Sequence, residues 1–319
     1  MQILNLFANP DFWFGVIRST TPILLGALAA LMASRVGIVN MAIEGIMLFS
    51  ALGATVVAGL THNVWLGMVA GILIGVGLSL FLTFFKLSMQ ADEIMVAIAL
   101  NLLATGGTIF LLYLFTGSKS NSSALQSGVL PTLAIPIIGQ LPFLGRIISN
   151  HNLLVYLSLL GVLVAHIILF KTPLGLRIRA VGGNWHSAAS VGVSVPKTQY
   201  TAMAISGIFS GLAGAYMSMG YLTMFTAGMV SGRGYIALAA SAVGGAAPIG
   251  TLLSSLLFGM FDQIGNQLQT QRWIAPEFVY MIPYIATVIM YTVYTYRKKT
   301  QRQRQVRQLA KGQGPEERL

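Results

Sequence analysis

Cysteine is absent from all 319 residues, which excludes disulfide staples and thiolate-held metals and leaves the redox state of the compartment open. Acids are nearly as scarce: eight Asp and Glu stand against nineteen Lys and Arg, for a net charge of +11. With only 8% of residues charged and 55% hydrophobic, a soluble fold could not cover its surface with polar groups. A mean hydropathy of +0.76 places the chain in a bilayer. Its basicity does not point to nucleic acid, because the bases sit in short loops and a terminal tail rather than on a folded domain. His62, His151, His166 and His186 lack metal-ligand spacing and are expected at interfaces. No nucleophile motif supports Ser-His-Asp chemistry. The phosphate-binding pattern G-x-x-x-x-G-K-[ST] is missing too, so any ATP hydrolysis must come from another chain. The first residues, MQILNLFANPDFWFG, lack a basic n-region and a small-residue cleavage site, so no cleaved signal peptide is expected.

What is present is a series of long apolar runs. About 20 helical residues cross a hydrocarbon core of ~30 Å. Nine runs can be placed, at about 12–32, 41–60, 64–85, 94–115, 153–170, 199–220, 232–245, 250–268 and 277–296. The expected fold class is therefore all-α, a polytopic integral membrane helix bundle with about nine transmembrane helices. The stretch LTMFTAGMVSGRG, residues 222–234, is expected to add a broken or re-entrant element. Residues 116–150 read as an external loop, its apolar centre broken by Pro131, Pro136 and Pro142. Residues 1–296 form one transmembrane domain, and 297–319 a basic tail suited to anionic lipid. The positive-inside bias puts that tail and the loop 171–198 in the cytoplasm, and counting back puts the N-terminus outside.

That loop is the one charged, glycine-punctuated interruption between apolar segments. Lys171, Arg177, Arg179 and Lys197 lie in it without an acid. Gly182, Gly183 and Asn184 supply a break and a cap, and Trp185 to Val191, through Ala188 and Ala189, is expected to form about two helical turns before Gly192 stops them. A short helix held at a membrane surface by basic flanks makes a socket for a soluble partner; a loop that only fixes topology is the other reading. Small residues also recur at helical spacing. Gly67, Gly71, Gly75 and Ser79 form one ridge, Ala202, Ser206, Ser210, Gly214 and Ser218 a second, with Gly207, Gly211 and Ala215 beside it, so close helix contacts are expected there.

Polar residues inside apolar runs are costly and point to a partner or a wet cavity. Asn40 and Glu44 are expected one turn apart on a common face, and Asp262 and Asn266 on another, with Gln263 and Gln267 alongside. Asn101 sits within the fourth run. These five are the substrate-pathway candidates, since amides and carboxylates offer the donors and acceptors that a hydroxyl-rich solute needs. Each has a plainer reading: Asn101 as a bridge between helices, Glu44 as an ion-pair partner of Arg35 or Arg18. Asp92 and Glu93 read as acids that cap the following helix.

Four stretches carry a family resemblance. TPLGLRIRAVGGNWHSAASVGVSVPKTQYTAMAISGIFSGLAGAYMSMG, GIVNMAIEGIMLFSA, ADEIMVAIALNLLA and SGRGYIALAASAVGGAAPIGTLLSSLLFG span most of Arg35 to Gly259. Together they resemble bacterial ABC importer permeases of the superfamily serving branched-chain amino acids, simple sugars and nucleosides. The forms IVNMAIEG and GRGYIALA are similar to its nucleoside branch. The resemblance implies a transport subunit rather than an enzyme, multi-pass in the bacterial cytoplasmic membrane, with a cytoplasmic C-terminus. It implies a pore shared with a second permease chain, a paralogue in a heterodimer. It also implies a separate ATPase subunit holding ATP and Mg²⁺, no cofactor on this chain, and a lipoprotein that delivers a small-molecule substrate from outside. Loop 171–198 then becomes the ATPase-coupling loop. Nucleosides are the expected cargo, with a simple sugar such as ribose as the alternative. An ATP-independent secondary transporter is a further reading, but it would need its own coupling-ion site with paired acids in mid-membrane.

Overall fold

Polar residues just ahead of the apolar runs start most of the helices. A computed structural model describes residues 9–125, 127–134 and 144–270, together with Ile285, Val288, Ile289, Thr292 and Tyr296. Helix α1 (Pro10–Arg35) opens on Asn9, whose side chain accepts from the Asp11 N–H at 3.0 Å, and Pro10 occupies the first turn, where no N–H is needed. Helix α2 (Ile43–Thr61) follows a tight turn, and α3 (Val64–Leu87) is capped by Asn63. Helix α4 (Glu93–Thr116) is capped by Asp92, which accepts from Ile94 N–H at 2.8 Å and Met95 N–H at 3.3 Å. Glu93 does something else: it pairs with Lys86 and accepts from the Val39 N–H at 3.1 Å, fixing the turn before α2.

A one-turn helix α5 (Leu144–Ile148) and an antiparallel pair of two-residue strands, β1 (Thr132–Leu133) and β2 (His151–Asn152), lead into α6 (Leu153–Lys171). Then come α7 (Pro173–Gly183) and α8 (Trp185–Ser190). Helix α9 (Val195–Tyr216) ends in a π-turn over Met217–Tyr221, and α10 (Arg233–Val243) and α11 (Pro248–Thr270) complete the described helices.

Among the described residues six helices are long and apolar enough to cross a membrane: α1, α2, α3, α4, α6, and α9 with its π-turn. The chain is thus mostly helical and multi-pass. The expected helical crossing at 232–245 is corrected. Helix α10 has 11 residues, a rise of ~16 Å, which is half a bilayer. Before it the chain runs from Tyr221 through an irregular stretch, bridged at Thr226 to Asn121, down to Gly232. Residues 222–243 are therefore part irregular and part helical, and 222–232 is the broken element that the sequence predicts. The expected crossing at 277–296 and the tail 297–319 lie outside the described residues, apart from the single positions named above.

Helix α9 sits at the centre, packed on α1, α2 and α3. The small-residue ridges do what their spacing predicts. Gly67, Gly71, Gly75 and Ser79 lie on the buried face of α3, and Gly75, Gly207 and Gly211 bring the backbones of α3 and α9 together. Hydroxyls tie the seam: Ser79 Oγ donates to Met203 O at 2.7 Å, Ser206 Oγ to Ala29 O at 2.8 Å, and Ser218 Oγ to Ala51 O at 2.9 Å. A Cβ on Gly207 would run into the backbone of Gly75 and Val76, which has no side chain to yield. Gly207→Val is therefore expected to cost about 3 kcal/mol, the upper end for overpacking. Gly77→Ala on the open face of α3, where nothing lies within 4 Å, should be neutral or slightly stabilising. Thermal unfolding of the two variants in detergent measures the difference.

Candidate functional site

The half-helix α10 begins inside the protein, and its first turn leaves N–H groups without intrahelical partners. Glu44, in the first turn of α2, supplies the acceptors: its carboxylate takes the Gly232 N–H at 2.7 Å and the Gly234 N–H at 2.8 Å. Two helix N-termini thus converge on one carboxylate, which offsets the positive ends of both dipoles. Gly232 makes the turn at φ +80°, and Gly234 allows the approach, since a Cβ there would strike the Glu44 backbone.

Next to that cap, Arg233 pairs with Asp262 of α11 at 3.2 Å, each side chain only 12% exposed. Its guanidinium carbon lies 5.2 Å from the centre of the Tyr221 ring, and that of Arg18 lies 5.1 Å from the same ring. Arg18 also donates to the Tyr221 carbonyl, and Asn266 Nδ2 donates to the Tyr221 hydroxyl at 3.4 Å. The buried Nε of Arg233 has no acceptor among the described residues. The cluster holds two guanidiniums and two carboxylates, with the Tyr221 phenol and the Asn266 amide at its edge. It is charge-compensated and rich in directional donors and acceptors.

The sequence candidates fall into two groups. Glu44, Asp262 and Asn266 come together here, around the start of α10. Glu44 bonds neither Arg35 nor Arg18: Arg35 donates through Nε to Ala246 O at 2.6 Å, and Arg18 goes to Tyr221. Asn40 and Glu44 do not share a helical face, because α2 begins only at Ile43. Asn40 is buried, accepting from the Ala42 N–H at 3.2 Å and donating to Ser206 Oγ at 3.3 Å. Asn101 bridges helices: its Oδ1 accepts from Gly45 N–H at 2.8 Å, and its Nδ2 donates to Met41 O and the Tyr235 hydroxyl, both at 3.0 Å. Tyr221 and Arg233 were not singled out by sequence reasoning. The signal available was a lone base between two glycines, GRG, inside an otherwise apolar stretch.

At the other end of the bundle, α7 and α8 form a projecting corner. The sequence predicts one short helix in this loop, and the structure contains two. Asn184 caps α8, accepting from the Ser187 N–H at 3.2 Å, and Gly192, at φ +83°, follows its end. Trp185 is 54% exposed and stacks on His186, Ala189 faces outward, and Val191 beyond them is open. Ala188, a candidate residue of the coupling loop, is buried at 3%. Arg177 is exposed, whereas Arg179 lies over the Phe170 ring at 5.0 Å. Gly182 rests on the backbone of Arg35, where a Cβ would clash with its carbonyl. Arg35 in turn reaches Ala246, just past the end of α10. A continuous contact path therefore joins the α7–α8 corner to the half-helix that carries the polar cluster.

Comparison with known proteins agrees with this architecture. A family model described as the branched-chain amino acid transport system permease component matches residues 12–291. The guanosine ABC transporter permease protein NupQ of Bacillus subtilis is 35% identical over 92% of this chain and 92% of its own length. The nucleoside ABC transporter permease protein NupC of Lactococcus lactis is 31% identical over 86% of this chain and 89% of its own. A solved metal-chelate type ABC transporter in an inward-facing conformation shares the fold, with a TM-score of 0.51 at 18% identity over 88% of this chain and 85% of that one. The chain thus belongs to the family of branched-chain amino acid transport system permease components and is a permease subunit of an ABC transporter.

Proposed function

We propose that the chain is a permease of an ATP-driven nucleoside importer. In this reading it forms the pore with a second, related permease, takes cargo from an external binding protein, and is driven by an ATPase subunit seated on α7–α8. The observation that carries the cargo assignment is the similarity, over most of the chain, to permeases named for guanosine and nucleosides. The cluster chemistry agrees. Arg233 is answered by Asp262, and Glu44 by the start of α10, so neither acid is left to hold an ammonium group and Arg233 is not left to hold a phosphate or carboxylate. The Arg233 Nε remains as a donor suited to the acceptors of a neutral base.

Mechanistically, the ATPase would move α8, and the Gly182–Arg35–Ala246 contacts would pass that movement to α10 as a body. The residues of this chain bind and reposition; ATP chemistry belongs to the partner. The α7–α8 corner, and with it the basic tail, would then be cytoplasmic.

Uptake of radiolabelled guanosine into proteoliposomes holding the whole importer tests the assignment. Unlabelled nucleosides should compete. Nucleoside monophosphates and leucine should compete on the order of 100-fold less well, because an unmatched charge inside the membrane costs at least ~2.5 kcal/mol. Competition by ribose in place of guanosine would establish the sugar reading, and transport by this chain without the ATPase would overturn the importer reading.

A further inference from the structure

Two apolar cavities of about 240 and 510 Å³ lie side by side, sharing Ile17 of α1 and Leu256 of α11. The smaller is walled by α1, α6 and α11 and by the chain just before α6. Five of its lining residues are polar by type, yet all are already bonded elsewhere. Thr20 and Thr21 donate back to Val16 O at 2.7 Å and Ile17 O at 2.9 Å, and Ser158 to Val155 O at 2.7 Å. The Tyr156 hydroxyl donates to Ile148 O at 2.8 Å. His151 Nε2 lies 2.8 Å from Ile147 O, and its ring stacks on Phe14 at 4.0 Å. Burial pushes the His151 imidazole below its usual range, so it is neutral at pH 7 and the wall carries no charge. Water entering this space would lack the two to four polar partners that hold a buried water in place. Left empty, a void of this size would forfeit the dispersion contacts of its whole lining.

An apolar occupant resolves both problems, and the bilayer supplies one. The larger cavity continues outward between α1, α5 and α11, past Trp13 and Leu253, the latter 62% exposed. Leu159, on the flank of the smaller cavity, is 49% exposed. Trp is the residue favoured where chain ends meet headgroups. Arg146, exposed on α5 next to Ile147 of the lining, offers a cation at that level for a phosphate.

We propose that the two cavities form a binding site for one phospholipid, its acyl chain between α1, α6 and α11 and its phosphate beside Arg146. The lipid would brace α1 and α11, which also carry Arg18, Asp262 and Asn266. The site does not depend on what cargo the protein carries.

Photo-labelling tests this on the full chain in nanodiscs of phosphatidylglycerol bearing a mid-chain diazirine. Labelled peptides should include Trp13–Ile17 and Leu253–Met260, and Leu256→Trp, which fills the shared wall, should reduce labelling there about tenfold, as loss of two or so buried methylenes would. Labelling around Leu73, a 65% exposed position on α3, reports ordinary annular lipid and should not change. Arg146→Gln should lower the preference for phosphatidylglycerol over phosphatidylcholine about fivefold. Thr21→Leu fills the same space from α1 and replaces Leu256→Trp should that variant not fold. Unchanged labelling in a folded filling variant overturns the proposal, as does protection by free oleate but not by unlabelled phosphatidylglycerol.

Discussion

Arg233→Ala is expected to reduce uptake to the background level and to destabilise the protein by about 3–5 kcal/mol, because it strands Asp262, 12% exposed, without its counter-charge. Asp262→Ala should do the same from the other side, leaving a guanidinium with Tyr221 and carbonyl contacts only. Loss of both stability and uptake would not by itself separate a structural pair from a functional one. The double variant Arg233→Met with Asp262→Leu does. Replacing a buried ion pair with apolar residues of similar size is often neutral in stability, so its unfolding temperature should return near that of the parent. Its uptake should stay at background, since the Nε donor is gone and only Arg18 is left over Tyr221. A double variant that is stable and transports normally would show that the pair only packs α10 against α11.

Local features of this chain could be read from the sequence, and features made by distant contacts could not. Asp92 as a cap, the short helix after Asn184, and the glycine ridge on α3 are each set by residues within a turn or two, and the structure contains all three. Helix α7 was hidden because PLGLRIRAVGG holds three glycines and a proline, the composition of a loop. Its start was nonetheless written in Thr172, whose hydroxyl accepts from the Gly175 N–H at 3.2 Å, with Pro173 at the first helical position. Gly175 is there because a Cβ would strike the carbonyls of Ile168 and Leu169 at the end of α6. What holds the start of α10 was illegible for another reason. The break over 222–234 and the start of α10, within a residue of the expected 232, were legible, whereas the acceptor of its first N–H groups is the Glu44 carboxylate, 188 residues before Gly232. Hydropathy reports the cost of leaving water, not which backbone groups find partners.

Trp185→Ala is expected to uncouple the importer without harming the permease. Trp185 is 54% exposed, stacks on His186 at 3.4 Å between ring centres and lines a groove with Leu87 and Pro196, so its removal should change the stability of this chain by about 1 kcal/mol. In the assembled importer a large aromatic on a projecting helix is the residue type that dominates an interface, commonly by 2 kcal/mol or more. That corresponds to about a 30-fold weaker hold on the ATPase. Substrate-stimulated ATP hydrolysis and uptake should fall together, while external delivery of cargo remains. Ala189→Glu should act in the same direction, since the exposed Ala189 lies one turn further along the same face and a carboxylate there would be carried into the contact unpaired. Ala188→Glu must be judged differently: at 3% exposure it would bury the carboxylate inside this chain, and its first effect should be on folding of the α7–α8 corner. Cysteine cross-linking distinguishes the two surfaces, because the chain has no native cysteine. Ser187→Cys and Ser190→Cys, both exposed on α8, should link to the ATPase subunit. Labelling of either by a membrane-impermeant thiol reagent from outside intact cells would invert the topology and place the ATPase contact elsewhere.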